Sequence, residues 1–304
     1  MEFAIQFRGD FEDALRSAKW AEDAGLAAFA MPDHYLQRGD TSKPAWDHLV
    51  HLAALARETD RIELVSLVTA VNFRHPAVLY KMGVTLDEVS NGRFSLGIGA
   101  GWFDQEFELF GFDYPDLSTR YEMTEEALQY IRAALSDEAR PFHGEHYRLA
   151  EFDPGPSPKN LRLVVGGTGD VKTPRLAGMY ADEYNIYVCG PREYSAKAQT
   201  AAAAAESAGR QPDEISLTAA GPAVAAREES DYRRILKEVA ELTGVSPDRI
   251  EETYREREFP HGFGSQPAEM AAALEEAGCQ RLYLQMFAVG PEQFDIVLDA
   301  YAPR

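Results

Sequence analysis

The chain has 304 residues, 45% of them hydrophobic and 11% aromatic, enough to bury one large core, and barrels of alternating strand and helix routinely reach this length as a single domain. A formal charge of −20, from 50 acidic and 30 basic residues, argues against nucleic acid or an anionic membrane as partner, because both demand clustered Lys and Arg. No apolar stretch approaches the roughly 18 residues of a membrane helix, and the opening MEFAIQF lacks the basic-then-apolar order of a signal peptide, so a cytoplasmic protein is expected.

The first unit reads as a strand at Glu2 to Phe7, then Asp10 as N-cap of a helix with Phe11, Ala14, Leu15 and Ala18 at helical spacing and Gly25 as its stop. Leu26 to Met31 is a second strand, and residues from Ala45 to Arg57 carry apolar side chains at helical spacing. Ile62 to Val68 is the third strand, followed by a helix from Pro76 to a stop at Asn91-Gly92. Phe94 to Ile98 is the fourth. A long segment from Gly99 to Leu117 leads to Thr119-x-x-Glu122, which reads as a capping box ahead of Leu128, Ile131 and Leu135. Residues Arg140 to Asn160 form an irregular excursion. Further strands are expected at Leu161–Val165, Glu183–Val188, Ile215–Ala219 and Arg281–Phe287, with helices near 172–181, 191–208, 228–243 and 267–277. Eight alternating units without a domain-length break predict an α/β fold, a (β/α)8 TIM barrel with loop insertions, in one domain over residues 1–304. The polar segment 244–264 reads as an insertion, with Glu251, Glu252, Arg255 and Arg257 exposed.

A barrel of this kind places its chemistry after the carboxyl ends of the strands. After strand two come Asp33, His34 and Tyr35. After strand three come Thr69, Asn72, Phe73 and Arg74, and after strand four Gly99, Ala100, Gly101 and Trp102. After strand five, Gly166-Gly167-Thr168-Gly169 runs directly into a helix. Bare amides at a helix start hold phosphate, and a tight turn needing positive φ is the competing explanation. His34 is the best proton-handling candidate, because imidazole exchanges a proton near neutrality and Asp33 stands beside it. A loop histidine that hydrogen-bonds locally is the plainer alternative.

Other patterns carry less. His48 and His51, and again His143 and His146, are three apart, yet neither pair has further ligands nearby, so no metal site is expected. No GxSxG elbow occurs. Cys189 and Cys279 form no CxxC pair, which removes a cysteine framework. Phe103, Phe107, Phe110 and Phe112 read as local packing before they read as a cofactor lid. The surplus of carboxylates suggests, as a hypothesis, adaptation to concentrated salt. A solubility and activity series against salt tests it, and full activity without salt dependence counts against it.

Met31-Pro32-Asp33-His34-Tyr35, Thr69-Ala70-Val71-Asn72-Phe73-Arg74-His75-Pro76-Ala77-Val78 and Gly92-Arg93-Phe94-Ser95-Leu96-Gly97-Ile98-Gly99-Ala100-Gly101-Trp102 together resemble the luciferase-like monooxygenase superfamily. The likeness extends through Gly166-Gly167-Thr168-Gly169 and Ala181-Asp182-Glu183-Tyr184-Asn185, and more weakly from Gly264-Ser265-Gln266-Pro267 onward. Members fold as (β/α)8 barrels and use FMN or the deazaflavin coenzyme F420, and the Asp-His pair after strand two resembles the F420-dependent oxidoreductases.

By this resemblance the chain transfers a hydride between F420 and a small organic substrate. His34 is then the catalytic proton donor or polarising group, Asp33 contacts the deazaflavin, Thr69 touches the ring, and Ala100 and Gly101 lie along the cofactor. Gly166, Gly167, Thr168 and Gly169 cradle its phosphate, with Arg74, Lys172 and Arg175 as counter-charges or as ordinary surface partners. The resemblance also places a bulged third strand with a non-proline cis peptide behind the ring, near Ser66-Leu67. One departure stands out. F420-dependent glucose-6-phosphate dehydrogenases have a glutamate where this chain has Trp102, which puts a sugar phosphate substrate in doubt. Glu106, one turn on, is a candidate acid or base or else a solvated surface carboxylate. Rival readings are an FMN-dependent monooxygenase, a methylene-tetrahydromethanopterin reductase and a flavin-binding protein without turnover. Homodimers are common among such relatives, and no interface helix stands out.

Overall fold

The computed structural model describes residues 1–37, 41–136 and 140–302. All eight expected strands form, as β1 (Glu2–Gln6), β2 (Ala28–Met31), β3 (Glu63–Ala70), β4 (Phe94–Gly99), β5 (Arg162–Gly167), β6 (Glu183–Tyr187), β7 (Ser216–Pro222) and β8 (Arg281–Gln285). Each pairs in parallel with the next, and β8 returns to β1 with Glu2 opposite Arg281 and Gln6 opposite Gln285, which closes the barrel. The strands are near-continuous apolar runs because both faces are covered, by barrel interior on one side and helices on the other.

Around the barrel lie α1 (Phe11–Asp23), α2 (His48–Glu58), α3 (Pro76–Val89), α4 (Asp104–Phe110), α5 (Leu117–Ala134), α6 (Lys172–Tyr180), α7 (Pro191–Ser207), α8 (Glu229–Thr243), α9 (Pro247–Glu256), α10 (Gln266–Glu276) and α11 (Phe294–Tyr301). The expected start signals hold at α1, where the Asp10 side chain accepts from the Asp13 amide at 2.9 Å, and at α3, where Pro76 opens the helix. Asn91 and Gly92 end α3 with φ of 61° and 83°. The capping box at Thr119 does not start α5. The helix begins earlier, because Asp116 accepts from the amides of Ser118 and Thr119 at 2.8 and 3.1 Å and so caps it more strongly.

Small residues fill the barrel interior: Ala4, Ala28, Ala30 and Ala220 pack with Val65, Leu67, Val164 and Tyr283. At its amino end an ion cluster closes the bore, with Arg281 2.8 Å from Glu63 and Glu183 accepting from Thr218 at 2.8 Å and Tyr283 at 3.1 Å. Burial pushes the Glu183 carboxyl up, and Glu63 adds to the effect. The open end is therefore the carboxyl end of the strands.

The register of β3 against β4 shifts between Ser66 and Thr69, and the Leu67–Val68 peptide is cis, one residue beyond the expected Ser66-Leu67. Glycine is required opposite this bulge. A Cβ on Gly97 would sit 2.1 Å from the Ser66 carbonyl and 2.7 Å from Val68 Cγ1. Gly97→Ala is expected to destabilise the protein by about 1–3 kcal/mol, the usual range for overpacking. Equal urea midpoints for variant and wild type would count against this packing.

Segment 140–160 includes a two-residue hairpin pairing Phe142–His143 with Arg148–Leu149. Within 244–264 lie α9 and a short strand, Gly262–Phe263, that pairs with Ala225–Ala226. Glu252, Arg255 and Arg257 are exposed there, while Glu251 is half-buried and accepts from Tyr232 and Arg233 at 2.8 and 2.9 Å. No helix among the described residues is long and apolar enough to cross a membrane.

Candidate functional site

The loop after β2 turns inward because its first polar residue is tied down from three sides. The Asp33 carboxylate is buried and accepts from the Thr69 hydroxyl and the Arg74 guanidinium, with His48 Nδ1 2.9 Å away. Arg74 bridges on to Asp47, which caps α2 through the Val50 amide at 3.1 Å. His48 in turn places Nε2 2.7 Å from the Ser66 hydroxyl, at the foot of the β3 bulge. Burial alone would raise the Asp33 carboxyl, yet His48 and Arg74 outweigh it and hold the group well below the usual carboxylate range. Burial and the neighbouring Asp33 push the Tyr35 phenol up.

This arrangement leaves Asp33 with its oxygens engaged inside the protein. Arg74 is likewise committed, its side chain 8% exposed and paired with Asp33 and Asp47. The suggestion that Arg74 meets a cofactor's charged tail is therefore withdrawn. His48, set aside with His51 as a metal pair lacking further ligands, belongs to the site's foundation. The signal available in the sequence was Asp47, the N-cap that places His48 on the first turn facing β3.

His34 projects into the open end with its side chain 23% exposed. Its Nδ1 lies 3.0 Å from Glu106 Oε2, while Glu106 Oε1 accepts from the amides of Tyr35 at 2.6 Å and Leu36 at 3.0 Å. Glu106 is 1% exposed, so the solvated-carboxylate reading fails. It is carried by α4, where Phe107 and Phe110 follow Phe103 at helical spacing over a run too short to announce a helix. Phe107 is buried against Phe73 at 4.8 Å and Tyr114 at 4.6 Å, which turns Glu106 toward His34. Packing thus explains Phe103 and Phe107, whereas Phe110 is 53% exposed. Trp102, 57% exposed, stacks on Phe103 and meets the His34 ring edge-on at 5.6 Å.

At the same end of the barrel the bulge sets Val68 against Gly97, Gly99 and Gly166, whose missing side chains make room for it. The Ser66 hydroxyl is engaged by His48, and the Leu67 side chain packs inside the barrel while its carbonyl accepts from Gln6. Thr69 is buried against Asp33, and Ala100 and Gly101 line the rim half-buried. Gln6, Gln285 and Tyr187 form a polar chain across the mouth, Gln285 donating to Gln6 at 2.6 Å and Tyr187 to Gln285 at 3.3 Å.

The turn Gly166-Gly167-Thr168-Gly169 sits at the same end and leads to α6, whose start lacks a side-chain cap. A Cβ on Gly169 would meet the Tyr121 hydroxyl at 2.5 Å and Thr173 Oγ1 at 2.6 Å. Lys197 of α7 supports the turn by donating to the Thr168 carbonyl at 2.9 Å, and is itself balanced by Glu193 at 2.7 Å. Lys172 donates to Ser118 at 3.2 Å, and Arg175 pairs with Glu125 at 3.4 Å. Among the described residues no cluster of His, Cys, Asp and Glu could hold a metal ion.

A profile of the luciferase-like monooxygenase family matches residues 4–295. The chain is 31% identical over 218 residues to a pyrimidine monooxygenase of Pseudomonas savastanoi pv. phaseolicola, which covers 68% of this chain and 59% of that protein. It is 29% identical over 171 residues to an F420-dependent glucose-6-phosphate dehydrogenase of Amycolatopsis mediterranei, 55% of this chain and 51% of that one. The chain thus matches only a little over half the length of these relatives. Among solved structures, an F420-dependent secondary alcohol dehydrogenase in complex with an F420-acetone adduct superposes with a TM-score of 0.82 at 20% identity, over 99% of this chain and 98% of that one. That likeness extends to the whole barrel.

Proposed function

The chain belongs to the luciferase-like monooxygenase family of oxidoreductases, and on that premise we propose that it transfers a hydride between coenzyme F420 and a small organic substrate. The observation that carries this reading is His34 held by buried Glu106 at the open end of the barrel. Oxidising an alcohol, or reducing a carbonyl, moves one proton on oxygen for every hydride on carbon. A histidine fixed by a carboxylate is the group that manages such a proton.

The residues present suit a flavin-type cofactor. The uncapped start of α6 leaves amide donors for a phosphate beside the glycine turn, the role proposed for Gly166, Gly167, Thr168 and Gly169. The bulge around Val68 and the rim at Ala100 and Gly101 offer a rigid wall without bulky side chains. Asp33, Ser66, Leu67 and Thr69 serve this site as its foundation, holding the β2 loop and the bulge in register. When bound, the deazaflavin supplies a two-electron hydride donor or acceptor. Glu106 faces Nδ1, and because a carboxylate accepts, the tautomer that donates from Nδ1 leaves Nε2 for a substrate oxygen. Trp102 and Phe103 meet the His34 ring edge-on at 5.6 and 6.0 Å and form an aromatic wall on one side of it.

The likeness to a pyrimidine monooxygenase favours a second reading, an FMN-dependent oxygenase on the same barrel. An anaerobic assay with F420 and a panel of small alcohols, hydroxy acids among them, separates the two. Alcohol-dependent reduction of F420 without oxygen is expected, and turnover only with FMN and oxygen would overturn the first reading. Glu106→Ala is expected to lower turnover on the order of 10–100-fold with cofactor affinity retained, since it frees the His34 ring and leaves two loop amides without an acceptor. Unchanged turnover in that variant would show that His34 needs no such partner.

A further inference from the structure

Arg8 follows β1 and reaches the same mouth. The described chain has nine buried or half-buried arginines. Eight of them, Arg74, Arg93, Arg120, Arg132, Arg162, Arg210, Arg234 and Arg281, donate to protein oxygens. Arg8 alone donates to none. Its guanidinium lies over the Phe287 ring, 5.0 Å from the centroid. The acid that acts on it most strongly is Glu106, whose two oxygens are already taken by His34, Tyr35 and Leu36. A half-buried guanidinium carries five donors and cannot shed its charge at neutral pH, so leaving it without an acceptor is unfavourable.

Arg8 lines a narrow cleft of about 30 Å³ together with His34, Met31, Pro32, Trp46 and His48. One face of the guanidinium is covered by Phe287, which leaves its in-plane donor edge for a ligand. That edge matches a planar carboxylate held by two parallel hydrogen bonds better than a tetrahedral phosphate. Met31, Pro32 and Trp46, the last 41% exposed, give the cleft apolar walls.

We propose that Arg8 is the substrate-recognition residue for a carboxylate, so that the substrate of the His34 site is a small organic acid with an apolar or aromatic body. This rests on the proposed role of His34 and adds the substrate's chemical class to it. Arg8 binds the carboxylate in the cleft and the neighbouring His34 handles the proton of the reacting oxygen.

The test uses benzoate, its neutral isostere benzamide and inorganic phosphate, titrated into the intact protein and followed by tryptophan fluorescence, with wild type, Arg8→Met and Arg8→Lys. Wild type is expected to bind benzoate at least tenfold more tightly than benzamide, a difference of about 1.4 kcal/mol. Arg8→Met is expected to lose that preference while binding benzamide as before, and Arg8→Lys to keep only part of it. Equal binding of benzoate and benzamide by wild type, or a preference that survives in Arg8→Met, would overturn the proposal. Phosphate binding more tightly than benzoate would overturn the carboxylate assignment. Should Arg8→Met fail to fold, Arg8→Lys decides the matter: a reduced preference supports the proposal and an undiminished one overturns it. A parallel titration with F420 and FMN keeps the two ideas apart: failure of both cofactors to bind counts against the proposed function, while the benzoate preference still reports on Arg8.

Discussion

His34→Ala lowers turnover by about 10²–10⁴-fold, the range that general acid–base catalysis contributes, while the dissociation constant for the cofactor changes little. The split follows from position. His34 is the partly exposed partner of a sealed carboxylate, since Glu106 is buried and the His34 side chain is 23% exposed. Removing its ring takes away the proton-handling group and leaves the loop anchored, because Glu106 still accepts from the Tyr35 and Leu36 amides. Steady-state kinetics and a cofactor titration on the same preparation check both halves. Full turnover in the variant removes His34 from the chemistry, and a parallel loss of cofactor affinity makes it a binding residue instead.

Asp33→Ala costs stability, about 3–5 kcal/mol, because it strips the carboxylate from a buried pair and leaves Arg74 and His48 without their shared acceptor. Urea unfolding measures it, and a loss below about 1 kcal/mol would show that the network relaxes without Asp33. The same group sets a pH dependence. The folded-state value for Asp33 lies below the unfolded one, so its contribution is fully present above the unfolded value of about 4. It is lost as pH falls from there through the depressed folded value. Wild type should therefore keep this contribution through mildly acidic conditions and lose it in strong acid, while Asp33→Ala should lack that acid-dependent loss.

The barrel was legible in the sequence because its strands are short apolar runs followed by residues at helical spacing, some with a start signal such as Asp10 or Pro76, and these are local properties. Several features were not. The α5 start was misplaced because Thr119 and Glu122 satisfy the spacing of a capping box, but Asp116 is the stronger cap and comes first in the chain. The α4 helix was hidden by its length of 7 residues, too short for periodicity to stand out. Missing α4 left Glu106 open between an acid or base and a surface carboxylate, when its partner is His34, 72 residues away. His48 escaped for the same reason, since its partners Asp33 and Ser66 come from other elements. Arg8 had no local signal at all. Its interest lies in the absence of an oxygen partner, a property that exists only once the chain is folded.

The central claim is that the open end of this barrel holds a deazaflavin beside His34. Titration of the purified protein with F420 and with FMN, at low and high salt and read by absorbance and fluorescence, tests it most directly. Saturable binding of F420 with little affinity for FMN is the expected result. Selective binding of FMN would contradict it, moving the chain to the oxygen-using members of its family and taking from His34 the proton-handling role assigned to it.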